Sequence, residues 1–107
     1  MNPTLESFPN APEDWDLTTA EEVAKADGLI LNEDHLDLIR ALQEYYSKVE
    51  FPNMRQIKDA LDEKFHSRGG MKYLYQIIPG GPVAEGCRLA GLSVPAGAVD
   101  KSFGSVA

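Results

Sequence analysis

From Leu36 to Val49 the apolar residues fall at three- and four-residue steps, Leu36, Ile39, Leu42, Tyr46 and Val49, widened by Leu38 and Tyr45. Such spacing gathers side chains on one face only if the chain is α-helical, so it predicts a helix over about 33–48. Asn32 stands where an N-cap accepts first-turn amides, and Glu33 and Asp34 follow where carboxylates complement the helix dipole. A stripe this broad needs other apolar surfaces to cover it, and this helix is expected to be the spine of the core.

Those surfaces are legible on either side. Thr18 followed by Glu21 has the spacing of a capping box, which predicts a short helix over about 19–26 ending near Gly28. Leu29, Ile30 and Leu31 form an apolar link to the central helix. After it, Pro52 disfavours helical geometry at Phe51 and Asn53 can cap a new start. Met54, Ile57, Leu61 and Phe65 then make a stripe on a helix of about 54–66, which Gly69 and Gly70 terminate. Residues 71–78 are apolar and short enough to be helix or strand by pattern alone, and Pro79-Gly80-Gly81 stops them. Pro82 suits the first position of a last helix reaching about Ala90, with Gly91 after it.

Residues 1–17 carry three prolines and little periodicity, so they read as an irregular or extended arm anchored by Trp15. Beyond Leu92, Pro95 and Gly97 and the loss of periodicity predict a mobile tail. At 107 residues the chain is expected to form a single domain, with an arm over 1–17, a helical core over 18–91 and a tail over 92–107.

A hydrophobic fraction of 43% beside 25% charged residues is that of an ordinary soluble globular protein. No basic stretch followed by an apolar one opens the chain, and no run approaches a membrane span. One cysteine, Cys87, cannot form an internal disulfide, which points to a reducing cytoplasm. The net charge of −7 argues against nucleic acid, whose binding rests on Lys and Arg. The cations are nevertheless concentrated: Arg55, Lys58, Lys64, Arg68, Lys72 and Arg88 all lie between 55 and 88, an asymmetry suited to meeting an acidic partner protein. His35, His66 and Cys87 have no metal-ligand spacing, and no metal or other cofactor is implied. The Pro79–Pro82 turn lacks the Lys-Ser/Thr that would complete a phosphate loop.

Three short motifs occur in order: KYLY at 72–75, PGGP at 79–82 and GCRLAGL at 86–92. Together they resemble the C-terminal signature of the DsrC/TusE family of sulfur-carrier proteins. The acidic turn with His35, the Tyr45-Tyr46 pair, and Pro52 with Arg55 have similar counterparts there, so the resemblance covers about 13–99. It implies a mostly α fold: an orthogonal bundle of about five short helices with a helix-turn-helix-like core, a small N-terminal β-hairpin and a flexible C-terminal arm.

The family signature holds two cysteines with ten residues between them. The first matches Cys87, and the second would fall at Ala98. In two-cysteine members the tail thiol takes up sulfur as a persulfide and can return to the cysteine corresponding to Cys87. Alanine cannot hold sulfur, so that two-thiol cycle cannot run here. Either a natural single-cysteine form or an engineered Cys→Ala replacement accounts for Ala98. A thiolate is the attacking species, and Glu85 and Arg88 give Cys87 mixed local charge.

The resemblance implies a sulfur-relay protein presenting persulfide sulfur, a substrate protein more than a free-standing enzyme. Its partners would be DsrEFH- or TusBCD-type sulfurtransferases and a siroheme sulfite reductase or heterodisulfide-reductase-like complex. Cys87 would be the persulfide or resolving thiol, with Arg55, Lys72 and Arg88 in support. The plainer reading of Arg55 is a surface salt bridge, and the plainer reading of Cys87 is a buried small hydrophobe. The alternative function is therefore a single-cysteine regulatory or protein-interaction module without sulfur transfer.

Overall fold

The computed structural model describes residues 7–95. They form five α-helices, α1 (Leu17–Ala26), α2 (Glu33–Lys48), α3 (Met54–Lys64), α4 (Gly70–Ile77) and α5 (Pro82–Ala90), with a 3₁₀ turn at His66–Arg68. The expected hairpin does not occur among the described residues, because 7–16 form turns instead of strands. No helix there is long and apolar enough to cross a membrane.

Local chemistry sets most boundaries. α1 begins at Leu17, earlier than the Thr18–Glu21 pattern predicts, because the Asp16 carboxylate accepts from the Thr19 amide at 2.9 Å. It ends in a Schellman turn, with Gly28 N–H on Lys25 C=O at 3.1 Å and Leu29 N–H on Ala24 C=O at 2.8 Å. At α2, Asn32 Oδ1 accepts from the Asp34 and His35 amides while His35 Nδ1 accepts from the Asn32 amide at 3.0 Å. The reciprocal cap is therefore closed by a histidine. Asn53 caps α3 through the Gln56 amide at 2.9 Å. That helix stops at Lys64, where the chain tightens into the 3₁₀ turn before reaching the two glycines. Residues 70–77 resolve as helix, begun by Asp62 Oδ1 accepting from the Met71 amide at 2.8 Å.

α2 is the spine. Leu38, Ile39 and Leu42 are wholly buried on the face that receives α5, and α5 also lies against α1. The contact is close because position 86 is glycine: a Cβ there would sit 2.7 Å from Leu42 Cδ1 and 3.3 Å from Leu38 Cδ2. Gly91 ends α5 in the left-handed region, φ 77°, with Trp15 packed where a side chain would go. Phe8 and Trp15 meet edge to face at 5.1 Å, and Trp15 Nε1 donates to the Leu89 carbonyl at 2.7 Å. Arg40 seals this corner, its guanidinium 4.6 Å over the Phe8 ring and its Nε–H on the Ser7 carbonyl.

Candidate functional site

Cys87 lies on the buried face of α5, with no exposed surface and no disulfide partner. Three positions before a helix end is a defined place: its carbonyl accepts from the Leu92 amide at 2.8 Å, in the turn that closes α5. The residue therefore stands at the root of the C-terminal segment. Sγ is 3.5 Å from Tyr46 Oη, which reaches it from α2. Burial pushes the thiol above its ordinary range, because an anion there would lose its water, and the Tyr46 hydroxyl partly offsets this by offering a hydrogen bond. At neutral pH the group is a thiol.

Tyr46 is bound on a second side. Its hydroxyl donates to the Ser93 carbonyl at 2.6 Å, fastening the chain just after α5 to the middle of the molecule. Burial, and next the Cys87 contact, push this phenol well above its usual range, so it keeps its proton. Beside it opens a groove of about 420 Å³ between Tyr46, Val49, Phe51 and Pro52 on one side and residues 93–95 on the other. Phe51 is 81% exposed and Val94 44%, so two apolar side chains of the rim stand uncovered beside Glu50 and Asn53.

The other residues singled out from the sequence do not gather around the thiol. Arg88 is adjacent in sequence, but its guanidinium is held at 3.0 Å by Asp27 and 3.2 Å by Glu85, joining α5 to the end of α1. One oxygen of Glu85 is buried without a partner. Burial first, and the Asp27 carboxylate second, raise the Glu85 acid to about 7, against a smaller opposing pull from Arg88. Arg55, in the first turn of α3, and Lys72, on α4, are exposed and form no ion pair among the described residues. Neither appears among the groups that shift the Cys87 thiol. Ala98 lies outside the described residues, as does the expected mobile tail beyond Pro95.

The KYLY motif has a structural part to play. Leu74 is core, the Tyr73 hydroxyl donates to Asp34 at the start of α2, and Tyr75 is partly exposed with the Lys58 ammonium 5.9 Å from its ring centre. His35 is committed as well: Nδ1 accepts within the cap while Nε2 donates to the Ile77 carbonyl at 2.8 Å, which ties α4 to α2.

Sequence reading placed Tyr46 in the helical stripe and in the Tyr45-Tyr46 motif, but not at the thiol. Its position in the stripe predicts burial, and only the docking of α5 supplies the partner. Gln43 was missed altogether: it is buried, donating Nε2–H to the Ala90 carbonyl at 3.0 Å beside the same helix end.

Comparison with known proteins bears directly on this arrangement. A family described as DsrC like protein matches residues 2–99. A protein named sulfurtransferase TusE from Photorhabdus laumondii is 32% identical over 84 residues, covering 77% of this chain and 76% of that one. The protein of the same name from the Buchnera aphidicola of Acyrthosiphon pisum is 32% identical over 92 residues, covering 84% and 81%. Among solved structures, an NMR structure of Allochromatium vinosum DsrC superposes with a TM-score of 0.68 at 40% identity, covering 78% of this chain and 77% of that one.

Proposed function

The chain belongs to the DsrC/TusE family, whose members support a sulfur-relay role, and from that premise we propose that it presents sulfane sulfur on Cys87 to partner proteins. The observation that carries the reading is a lone, unpaired thiol buried at the root of the C-terminal segment, with one hydroxyl in hydrogen-bond reach of it. In the transfer, the Cys87 thiolate attacks the outer sulfur of a donor persulfide. The S–S bond of the donor breaks, the donor leaves as its own thiolate, and no net oxidation occurs. The buried thiol is protected between transfers, and attack requires the segment over it to open.

Ala98 gives the tail no thiol of its own. In this reading Cys87 is the sole sulfur-bearing atom, and residues after Pro95 serve to dock. Partners of the DsrEFH or TusBCD sulfurtransferase kind, and a siroheme sulfite reductase or heterodisulfide-reductase-like acceptor, fit the family premise. A reduced single thiol fits the cytoplasm. The exposed cations Arg55 and Lys72 suit contact with an acidic partner, and Arg88 supports α5 from its far side.

A second reading is a protein-interaction module in which Cys87 is inert. It is favoured by complete burial of the thiol next to the uncovered Phe51 and Val94. Mass spectrometry after incubation with polysulfide, or with thiosulfate and a sulfurtransferase, separates the two. A gain of about 32 Da that disappears in Cys87→Ser supports the relay, whereas an unmodified chain with every donor leaves the interaction module.

A further inference from the structure

We infer that Tyr46 is a one-proton latch: its hydroxyl can hold the Ser93 carbonyl only while Cys87 needs no donor, so ionisation of Cys87 releases the segment that leaves α5. Three distances carry this. Tyr46 Oη lies 2.6 Å from Ser93 O and 3.5 Å from Cys87 Sγ, and Leu92 N–H lies 2.8 Å from the Cys87 carbonyl. Tyrosine has a single O–H. In the thiol state the chain of bonds closes: Sγ–H donates to Tyr46 Oη, and Tyr46 O–H donates to Ser93 O. A thiolate has no proton to give and demands one.

The exchange balances simply. Base from solvent removes the Sγ proton, the Tyr46 O–H turns from Ser93 O to Sγ, and the freed carbonyl takes a hydrogen bond from water. Only the S–H bond breaks and no electrons change hands. A donor facing an anion makes the stronger bond, which sets the direction of the swing. The competition is local. From α2, Tyr46 is the side chain that acts on the Cys87 thiol, and no charged group of α1, α3 or α4 contributes to its shift. Tyr46 is itself met by Cys87 and by Tyr45, whose ring lies 6.5 Å away, while Glu50 rims the groove.

With Ser93 released, the 93–95 wall of the groove beside Phe51 is free to move, so ionisation of Cys87 and opening of that groove are coupled through Tyr46. Use of that coupling in a relay rests on the function proposed above. The latch itself is read with no sulfur donor present, so either idea can fail without the other.

The test is an NMR pH titration of the whole chain labelled with ¹³C, following Cys87 Cβ for the thiolate and the Ser93 carbonyl carbon for the latch. The two signals are expected to move with one midpoint, the Ser93 carbonyl carbon reporting loss of the Tyr46 hydrogen bond as Cys87 ionises. In Cys87→Ala the Ser93 carbonyl should stay at its latched position throughout. In Tyr46→Phe it should sit at the released position at every pH, with the thiolate midpoint moved higher. A Ser93 signal that stays flat while Cys87 ionises overturns the latch, as does one that titrates equally in Cys87→Ala. These two outcomes decide the matter even if Tyr46→Phe does not fold.

Discussion

The indole N–H of Trp15 donates to the carbonyl of Leu89 at 2.7 Å, a bond between residues 74 positions apart that joins the segment before α1 to the last turn of α5. Trp15 also fills the space beside Gly91, so one side chain fastens the helix that carries Cys87.

Replacing it tests that fastening. Trp15→Phe keeps an aromatic body but leaves a buried carbonyl unpaired, which should cost about 1–3 kcal/mol. Chemical denaturation read by far-UV circular dichroism checks this as a lower midpoint with an unchanged slope.

Gly86→Ala should destabilise by about 1–3 kcal/mol despite the better helix propensity of alanine, because the new methyl meets Leu42 Cδ1 at 2.7 Å. Combining it with Leu42→Ala should cost less than the sum of the two single changes. A double-mutant cycle measures that difference, and strict additivity would contradict the contact.

Glu85 makes stability depend on pH in a stated direction. Its folded value of about 7 lies above the ordinary 4.5, so between those values the folded chain holds a proton that the unfolded chain has lost. Stability is therefore greatest with respect to this group below about pH 4.5 and declines as pH rises through about 7. Thermal melts across that window should show the decline in the parent protein and a flatter profile in Glu85→Gln.

Cys87 should resist alkylation. With no exposed surface and a thiol held protonated by burial, it should react with iodoacetamide about a hundredfold more slowly in buffer than in urea, equivalent to roughly 3 kcal/mol of opening. Timed labelling read by intact mass checks this, and equal rates would show that the segment over the thiol stands open.

Much of the helical framework was legible from residues alone. The caps at Asn32 and Asn53, Pro82 opening α5 and Gly91 closing it all fall where local hydrogen bonding and φ preference put them. The Thr18–Glu21 pattern misplaces the start of α1 because Asp16 is also a good cap and accepts from the Thr19 amide, ahead of the amides at 20 and 21 that Thr18 would take. Residues 70–77 had no unambiguous period, and what made them helix is the Asp62 cap from the preceding helix.

The thiol site was legible in part. Cys87 and its place at the root of the tail followed from the motif, while Arg88, its neighbour in sequence, was read as its support. Consecutive helix positions diverge by about a third of a turn, so Arg88 points to Asp27 and Glu85 while Cys87 points inward.

By itself the sequence determined where α2, α3 and α5 lie to within a turn, which of their faces are apolar, that one thiol is present and that position 98 carries none. Tertiary structure alone decided that Tyr46 stands between Cys87 and Ser93, partners 41 and 47 positions away. The physical reason is that periodicity and capping act within a turn or two of helix. The partner of a buried hydroxyl is chosen by how two helices dock, here through the close approach of α5 to α2 at Gly86.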